Sequence, residues 1–595
     1  MISKKLIILF FLVAGFLKAE TNPYYYINPK PDSEFNKKET TIILKTLAMP
    51  SENTIKSANF IKVSGTKSGD VKGEIIFSYK ENYIIFKPEK PFKNAETVFV
   101  TVNNGGNTFQ FKFNIEKITV TEKYRSFELE LNDARKEFAE QNDFIQSDTL
   151  PSNFPPITVK QYGQTAPGKI FLSNFKVLGL YAAYLMILEN NGSPFFYRYS
   201  TNNCYDFKKQ PNGLLTYADY NKSKFYGLDT NYIIVDSFYA GNGYTTDEHE
   251  LVVMNNGNYL VLIYDPQVIN MSLIYPGGDT AAVVIGLVVQ ELDANKNVVF
   301  QWKSWDNFSI LDATGLDFTV HTIDYVHGNA IEVDNDGHLM ISSRNMDEVT
   351  KINRQTGNII WRFGGKNNQF TITNDTMKFY KQHSIRRVSS DKVILYDNGN
   401  HHIPKFSRAV EYQLDETNKL ATRTWQYRNS PDVYASAMGN VQRLPNGNTV
   451  IGWGYTNASR VAMTEVNSAG TKLYEIEFPM AVVSYRAFRQ EYKESPPTII
   501  GKTNNEIPSQ YSLSQNYPNP FNPSTKIKFS VPENRATTLK IFDITGKQID
   551  ELISRSIPAG NYEVEWNAYG IPSGVYFYQL TSGNFSETKR MILIK

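Results

Sequence analysis

The middle of the chain alternates apolar and polar residues in short runs, and the runs come in pairs around a turn. Four segments share the order apolar strand, Asn/Asp-Gly turn, apolar strand: "YDFKKQPNGLLTYAD", "HELVVMNNGNYLVLIYD", "NAIEVDNDGHLMISSR" and "GNVQRLPNGNTVIGWG". A fifth, "HSIRRVSSDKVILYD", keeps the order with Ser390 and Asp391 in the turn. Alternation with period two marks a half-buried strand, and Gly after Asn or Asp supplies the positive φ of a tight hairpin. The turn positions Gly213, Gly257, Gly337, Asp391 and Gly447 are separated by roughly 45 to 80 residues, within the range of propeller blades with loop insertions. Between them Trp302, Trp361 and Trp425 mark a second recurring strand. One such unit cannot bury both faces of its sheet, and radial stacking solves that problem. With a sixth unit closed by "GKIFLSNF" or "YAAYLMILE" and a strand near "KLYEIEF", the pattern predicts a six-bladed β-propeller over residues 160–500.

Shorter alternating strands flank this region. "TTIILKTL", "GEIIFSYKENYIIFKP" and "ETVFVTVNN" predict a small β-sandwich over 22–120. Its phrases "KVSGTKSGDVKGEI" and "YIIFKPEKPFKNAETVFV" resemble Ig-like modules of exported bacterial proteins, and the absence of clustered chemistry makes it a spacer. "FELELNDARKEFAEQNDFIQ" predicts a partly helical linker within 121–159. Residues 511–595 repeat short strands with Asn-Pro, Thr-Gly, Ala-Gly and Ser-Gly turns, which predicts a second β-sandwich. The predicted fold class is therefore all-β: a six-bladed propeller between an N-terminal Ig-like β-sandwich and a C-terminal β-sandwich.

Composition supports this and narrows the partners. Aromatic residues make up 13% of the 595, and these favour strands. A net charge of +2 gives no broad basic field, so nucleic acid is not an expected partner. "MISKKLIILFFLVAGFLKAE" has two lysines, an apolar run from Leu6 to Leu17 and a small-residue step, the order of a signal peptide over 1–19. Cys204 is the one cysteine, so no intrachain disulfide can form and stability must come from packed sheets.

Counting back eight residues from each turn position gives Tyr205, His249, Asn329, His383 and Gly439. If that position opens the inner strand of each blade, these residues meet around one mouth of the central channel. Period two then points His327 the same way as Asn329, and the returning strand brings Arg344 back to the same end. Three of the seven histidines thus fall at equivalent or adjoining positions. Hydrogen bonding between blade loops would explain such residues without chemistry. A metal site is a second alternative, but the aligned set holds no obvious carboxylate. Histidine, arginine and asparagine together suit a tetrahedral oxyanion such as sulfate or phosphate.

The run "HGNAIEVDNDGHLMISSRNMDEVTKINRQTGNIIWRFGGKNNQF", with "QHSIRRV" and "SRAVEYQLDE", resembles the bacterial aryl-sulfate sulfotransferase family, whose members need no nucleotide sulfate donor. The resemblance covers roughly 160–490. It implies a six-bladed propeller that moves a sulfuryl group from a phenolic sulfate ester to a phenol through a sulfohistidine, without a cofactor or metal. The family's His-x-Asn element falls on His327 and Asn329, Ser-Ser-Arg on Ser342, Ser343 and Arg344, the Gln-His nucleophile on Gln382 and His383, and an upstream histidine on His249. The disulfide of some periplasmic relatives has no counterpart here. "NYPNPFNPST", "GVYFYQL" and "KRMILIK" resemble the C-terminal sorting domain of type IX secretion, which implies export machinery as a partner and a secreted or outer-membrane-surface location.

Two classes of function follow. One is an aryl sulfotransferase with His383, His249, His327, Asn329 and Arg344 as its site. The other is a surface propeller that binds an anionic glycan or peptide without turnover. The sequence leaves the oligomeric state and the natural donor and acceptor open.

Overall fold

The glycines of the sequence turns close hairpins: Gly213, Gly257, Gly337 and Gly447 have φ of 90°, 86°, 80° and 88°, a region open to glycine and strained for other residues. The structure, a computed structural model, describes residues 22–594 except 105, 121–149, 177–180, 220, 231, 457, 481, 493–499, 503–507, 558 and 569–570. The signal peptide expected over 1–19 and the helix expected in the 121–159 linker lie outside the described residues. What is described is all-β, and its single α-helix is the short Glu52–Ile55. The chain divides into two compact units, 1–492 and 493–595.

Six sheets of four or five strands follow one another from residue 158 to 490, antiparallel apart from the short parallel additions Thr322–Asp324 in the third and Thr371–Thr373 in the fifth. The second to fifth comprise consecutive hairpin-linked strands within 204–238, 246–303, 328–364 and 383–428. The first strands touch in cyclic order: Cys204–Lys209, Thr246–Val253, Gly328–Val333, His383–Arg387, Asn440–Arg443 and then Val482–Gln490, which returns to Cys204–Lys209. The arrangement is propeller-like, and the ring is closed twice. Val482–Gln490 joins Lys169–Lys176, Ala183–Leu188 and Pro194–Ser200 in the first sheet, while Thr158–Gln161 adds an outer strand to the sixth through Lys472–Glu477. "GKIFLSNF" and "YAAYLMILE" are therefore neighbours in one sheet, and "KLYEIEF" belongs to another, contrary to the closure expected from the sequence. The closing strand is the next one along, whose residues 482–489 are all buried.

Side-chain amides tie several inner strands to their neighbours. Asn440 donates from Nδ2 to the Ala487 carbonyl and accepts from the Ala487 N–H, both at 2.9 Å. Gln442 does the same at Arg489, and Gln210 bridges Leu251 and Val253. Backbone groups at blade boundaries would otherwise be buried without partners, which is costly. Cys204 is buried in this region, and burial pushes its thiol up to about 12, so it is an inert core residue.

The N-terminal region folds into two four-stranded sheets around a core that includes Ile42, Phe60, Phe86, Val100 and Phe113. It is not the free spacer expected from its sequence, because it docks on the third sheet. The Tyr26 hydroxyl donates to the Gln301 carbonyl at 2.8 Å and its ring stacks on Phe300. Lys303 donates to the Glu34 carbonyl at 2.7 Å. Lys37 lies 2.6 Å from Glu116 and 2.9 Å from Asp265, with all three side chains buried. Burial alone would lower the Lys37 pKa, but Asp265 and Glu116 hold it above its usual value. In the second unit, two further four-stranded sheets enclose Phe529, Val564, Trp566, Tyr578 and Leu580.

The Lys37 cluster makes docking testable. Lys37→Ala leaves two buried carboxylates without their cation and is expected to cost about 3–5 kcal/mol. Urea denaturation should show a lower midpoint for residues 22–492. An unchanged midpoint would mean that the pairing contributes nothing to the docked state.

Candidate active site

The inner strands are irregular where the count from the turns places the candidates. Register shifts fall between Tyr205 and Lys208, Thr246 and Leu251, Gly328 and Ala330, and His383 and Arg386. Left-handed backbone accompanies them: Asp206, His327, Ser384 and Met438 have φ of 51°, 53°, 60° and 63°. Bulges and such conformations re-aim side chains, and they persist where surrounding contacts hold them. Here they turn residues at the strand starts away from the simple two-residue alternation.

His327 shows the effect. Sequence periodicity points it the same way as Asn329, yet its positive φ breaks the alternation before the strand begins. Its ring lies 5.2 Å from that of His249, on the third sheet, while the Asn329 amide reaches the fifth. His249 Nδ1 is 2.6 Å from Asp247 Oδ1, and His327 Nδ1 is 2.6 Å from Asp324 Oδ2. Each carboxylate also accepts the backbone N–H of its own histidine. These pairs fix the rings and keep a proton on Nδ1. The Tyr264 ring packs within 6 Å of both imidazoles, and the Tyr485 hydroxyl donates to the His249 carbonyl at 3.0 Å.

His383 is fully buried and has a different partner set. Its Nδ1 is 2.7 Å from Asn398 Oδ1 and 3.1 Å from the Lys381 carbonyl. Asn398 Nδ2 donates to the carbonyls of Ala435 and Met438, so the amide oxygen is the atom turned to the ring. Two acceptors at Nδ1 place the proton there, and the lone pair is on Nε2. Asn329 grips the strand on both sides of this histidine: Nδ2 donates to the Gln382 carbonyl at 2.9 Å and Oδ1 accepts from the Ser384 N–H at 3.3 Å. Its amide thus ties down the backbone on either side of His383.

Arg344 completes the cluster. Its N–H donates to the His327 carbonyl at 2.9 Å, and its guanidinium reaches Asn345 Oδ1 at 3.0 Å and the Ser436 carbonyl at 3.2 Å. Ser436 lies in the same short segment whose carbonyls hold Asn398. The structure therefore links His249, His327, Asn329, Arg344 and His383 into one connected set. Tyr205 reaches it through Tyr485, at 5.2 Å between rings. His338 and His401 lie elsewhere, beside Arg354 and Tyr380 respectively.

Further along the same strands lies a buried ion cluster that sequence reasoning missed. Glu250 pairs with Arg386 at 2.6 Å, Arg486 at 2.8 Å and Lys208; Arg486 also pairs with Asp206 at 2.7 Å and donates to the Asn329 carbonyl at 2.8 Å. Burial alone would push the Glu250 carboxyl up, but Arg386, Arg486 and Lys208 hold it well below the usual range. Arg486 is raised in turn, because Glu250 and Asp206 outweigh its desolvation. The cluster spans the first, second, third and fifth sheets and touches the fourth. Also unforeseen were Asp247, Asp324 and Asn398. The motifs "TDEHE" and "DYVH" hold the two aspartates in plain view, but only bulged backbone turns them on to the histidines. Among the described residues, no group of three or more His, Cys, Asp or Glu side chains is arranged to hold a metal ion.

No curated protein matches the chain. Among solved structures it is similar to a Bacteroides caccae protein of unknown function, at 12% identity and a TM-score of 0.35, covering 55% of this chain and 100% of that one. It is also similar to a catalytically inactive variant of virginiamycin B lyase from Staphylococcus aureus, at 8% identity and a TM-score of 0.29, covering 54% and 99%. PorZ, a surface component of the type IX secretion system of Porphyromonas gingivalis, aligns at 10% identity and a TM-score of 0.23, covering 96% and 100%. Likenesses this slight carry no argument about function. Residues 515–595 match the secretion system C-terminal sorting domain, so the protein is secreted or held at the cell surface. Residues 160–489, more than half of the chain, match the arylsulfotransferase (ASST) family, and the chain belongs to that family.

Proposed function

We propose that the six sheets are the six blades of a propeller that transfers a sulfuryl group from a phenolic sulfate ester to a phenol, by way of a sulfohistidine at His383. The observation that carries this is the hydrogen bonding of His383: Nδ1 faces two acceptors, Asn398 Oδ1 and the Lys381 carbonyl, which leaves Nε2 as the nucleophilic atom. In the first step Nε2 attacks sulfur, an N–S bond forms, the S–O bond to the aryl group breaks, and the phenolate takes the electron pair. His249 or His327, each backed by an aspartate, supplies the proton that makes the phenolate a neutral phenol. Arg344 offsets negative charge on the sulfuryl oxygens as the bond shifts. In the second step the same imidazole takes the proton of an incoming phenol, the phenol oxygen attacks sulfur, and the N–S bond returns its electrons to His383. No nucleotide and no metal take part.

The alternative, a propeller that only binds an anionic glycan or peptide, needs cationic side chains at the mouth but no fixed imidazole tautomer. We read the N-terminal pair of sheets as an Ig-like module with a role in docking, and the segment before about residue 20 and the tail from about residue 511 as export signals removed on the way out.

Assays with an aryl sulfate, with and without added phenol, decide between the readings. Donor cleavage stimulated by the acceptor is expected; no turnover with any phenol would favour the binding module. His383→Ala should abolish turnover and leave the fold intact, and Arg344→Ala should slow transfer by about 10²- to 10³-fold. A fully active His383→Ala protein would overturn the nucleophile assignment.

Asn398→Asp tests the tautomer. A carboxylate behind His383 favours the imidazolium over the neutral ring, so the nucleophile is available only at higher pH. The acid limb of the kcat/KM profile should move upward by about one pH unit. A profile that stays in place would mean that Asn398 does not face the reacting ring.

Intact-mass measurement of protein from the cell surface or culture fluid should show a chain lacking both terminal segments. Full-length chain confined to the cytoplasm would refute export.

A further inference from the structure

The motif "SRAVEYQLDE" carries Arg408, which no step of the transfer uses. Arg408 is fully buried at the start of the strand Arg408–Asp415, directly opposite Asp397 at the end of Lys392–Asp397. Its Nε donates to Asp397 Oδ2 at 2.8 Å, and its other nitrogens donate to Asp375 at 2.9 and 3.1 Å, to Gln426 and to the Lys378 carbonyl. His402 Nε2 stands 3.5 Å from the same Asp397 oxygen. The other oxygen of Asp397 faces the site: Oδ1 accepts from the N–H of Tyr380 at 2.9 Å and from the N–H of Gly399 at 3.0 Å. Tyr380 precedes Lys381, and Gly399 follows Asn398. Those two neighbours supply both acceptors of His383 Nδ1, the Lys381 carbonyl at 3.1 Å and Asn398 Oδ1 at 2.7 Å. Lys378 and Lys381 also have φ of 57° and 56°, a conformation that lysine keeps only where surrounding contacts hold it.

We propose that Asp397, braced by Arg408, is a positioning residue for His383: one carboxylate oxygen holds the two segments whose oxygens face His383 Nδ1, and so keeps the proton on that nitrogen and Nε2 ready to attack. The inference rests on the sulfuryl-transfer reading and deepens it. A buried ion pair is poor evidence of stability in itself, since desolvation offsets much of the attraction. Here the pair has a second use. Arg408 fixes Asp397 Oδ2 and the Lys378 carbonyl together, so the carboxylate and the approach to the inner strand cannot shift independently.

Two substitutions separate this role from a merely structural one. Both Asp397→Ala and Asp397→Asn lose the ion pair with Arg408, and both should unfold at lower urea concentration. Asn keeps an oxygen for the two N–H groups, whereas Ala does not. With 4-nitrophenyl sulfate and phenol, Asp397→Ala should lower kcat/KM by about 10- to 100-fold, and Asp397→Asn should stay within about threefold of the unaltered protein. Nitrogen NMR of isotope-labelled histidine, with the His383 signals identified by their loss in His383→Ala, reads the tautomer directly. The unaltered protein and Asp397→Asn should show the proton on Nδ1, and Asp397→Ala a mixture of the two tautomers. If Asp397→Ala does not fold, Asp397→Ser carries the same expectations, because its hydroxyl is too short to accept from both N–H groups. Equal losses in the Asn and Ala variants, or a tautomer that the Ala or Ser variant leaves in place, would overturn the positioning role whether or not transfer occurs. If the unaltered protein never turns over while its tautomer follows Asp397 as described, the transfer reading falls and the brace on His383 stands.

Discussion

The ring depends on a buried charge cluster at its centre. Glu250 receives Arg386 from the fifth sheet, Arg486 from the first and Lys208 from the second, and Arg486 continues to Asp206 and to the Asn329 carbonyl of the fourth. Desolvated charges of this kind are tolerable only when every one is met, and loss of a single partner leaves an uncompensated ion. That requirement constrains the relative position of the sheets that supply these charges. It also fixes Asn329, whose carbonyl is held by Arg486 while its amide holds the backbone on both sides of His383. The proposed nucleophile is thus positioned by the same contacts that hold the ring together.

Above the ion cluster the histidines divide by partner. His249 and His327 face carboxylates, whereas His383 faces a neutral amide and a carbonyl. A carboxylate suits an imidazole that holds and passes a proton, and a neutral acceptor suits one that attacks through its other nitrogen. On the proposed reading the same residue type takes different parts in one site, according to which neighbour lies at Nδ1.

The repeat made the strand order and the starting residues of the inner strands legible, because glycine turns such as Gly257 and Gly337 gave a fixed point from which to count. That count reached His249, Asn329 and His383 without any knowledge of their contacts. It failed where the backbone leaves its period: His327 has a φ of 53° and turns away from the face that alternation assigns to it. It also failed for partners that arrive from afar. Asn398 follows the second strand of its sheet, and Arg486 sits on the closing strand, 157 residues from the carbonyl that it meets. Nothing local in "VVSYRAFRQ" marks it as the strand that completes the first sheet. The docking of the N-terminal sheets was hidden for the same reason, since Lys37 and Asp265 acquire meaning only as a pair.

The central claim is that His383 Nε2 takes the sulfuryl group while its neighbours stay unmodified. Brief exposure to an aryl sulfate without acceptor, followed by tandem mass spectrometry at neutral or alkaline pH, addresses it directly. A single acid-labile sulfate on the peptide that contains His383, discharged by added phenol, is the predicted result. Sulfate on His249 or His327 instead, or acceptor-dependent turnover with His383 never modified, would contradict it.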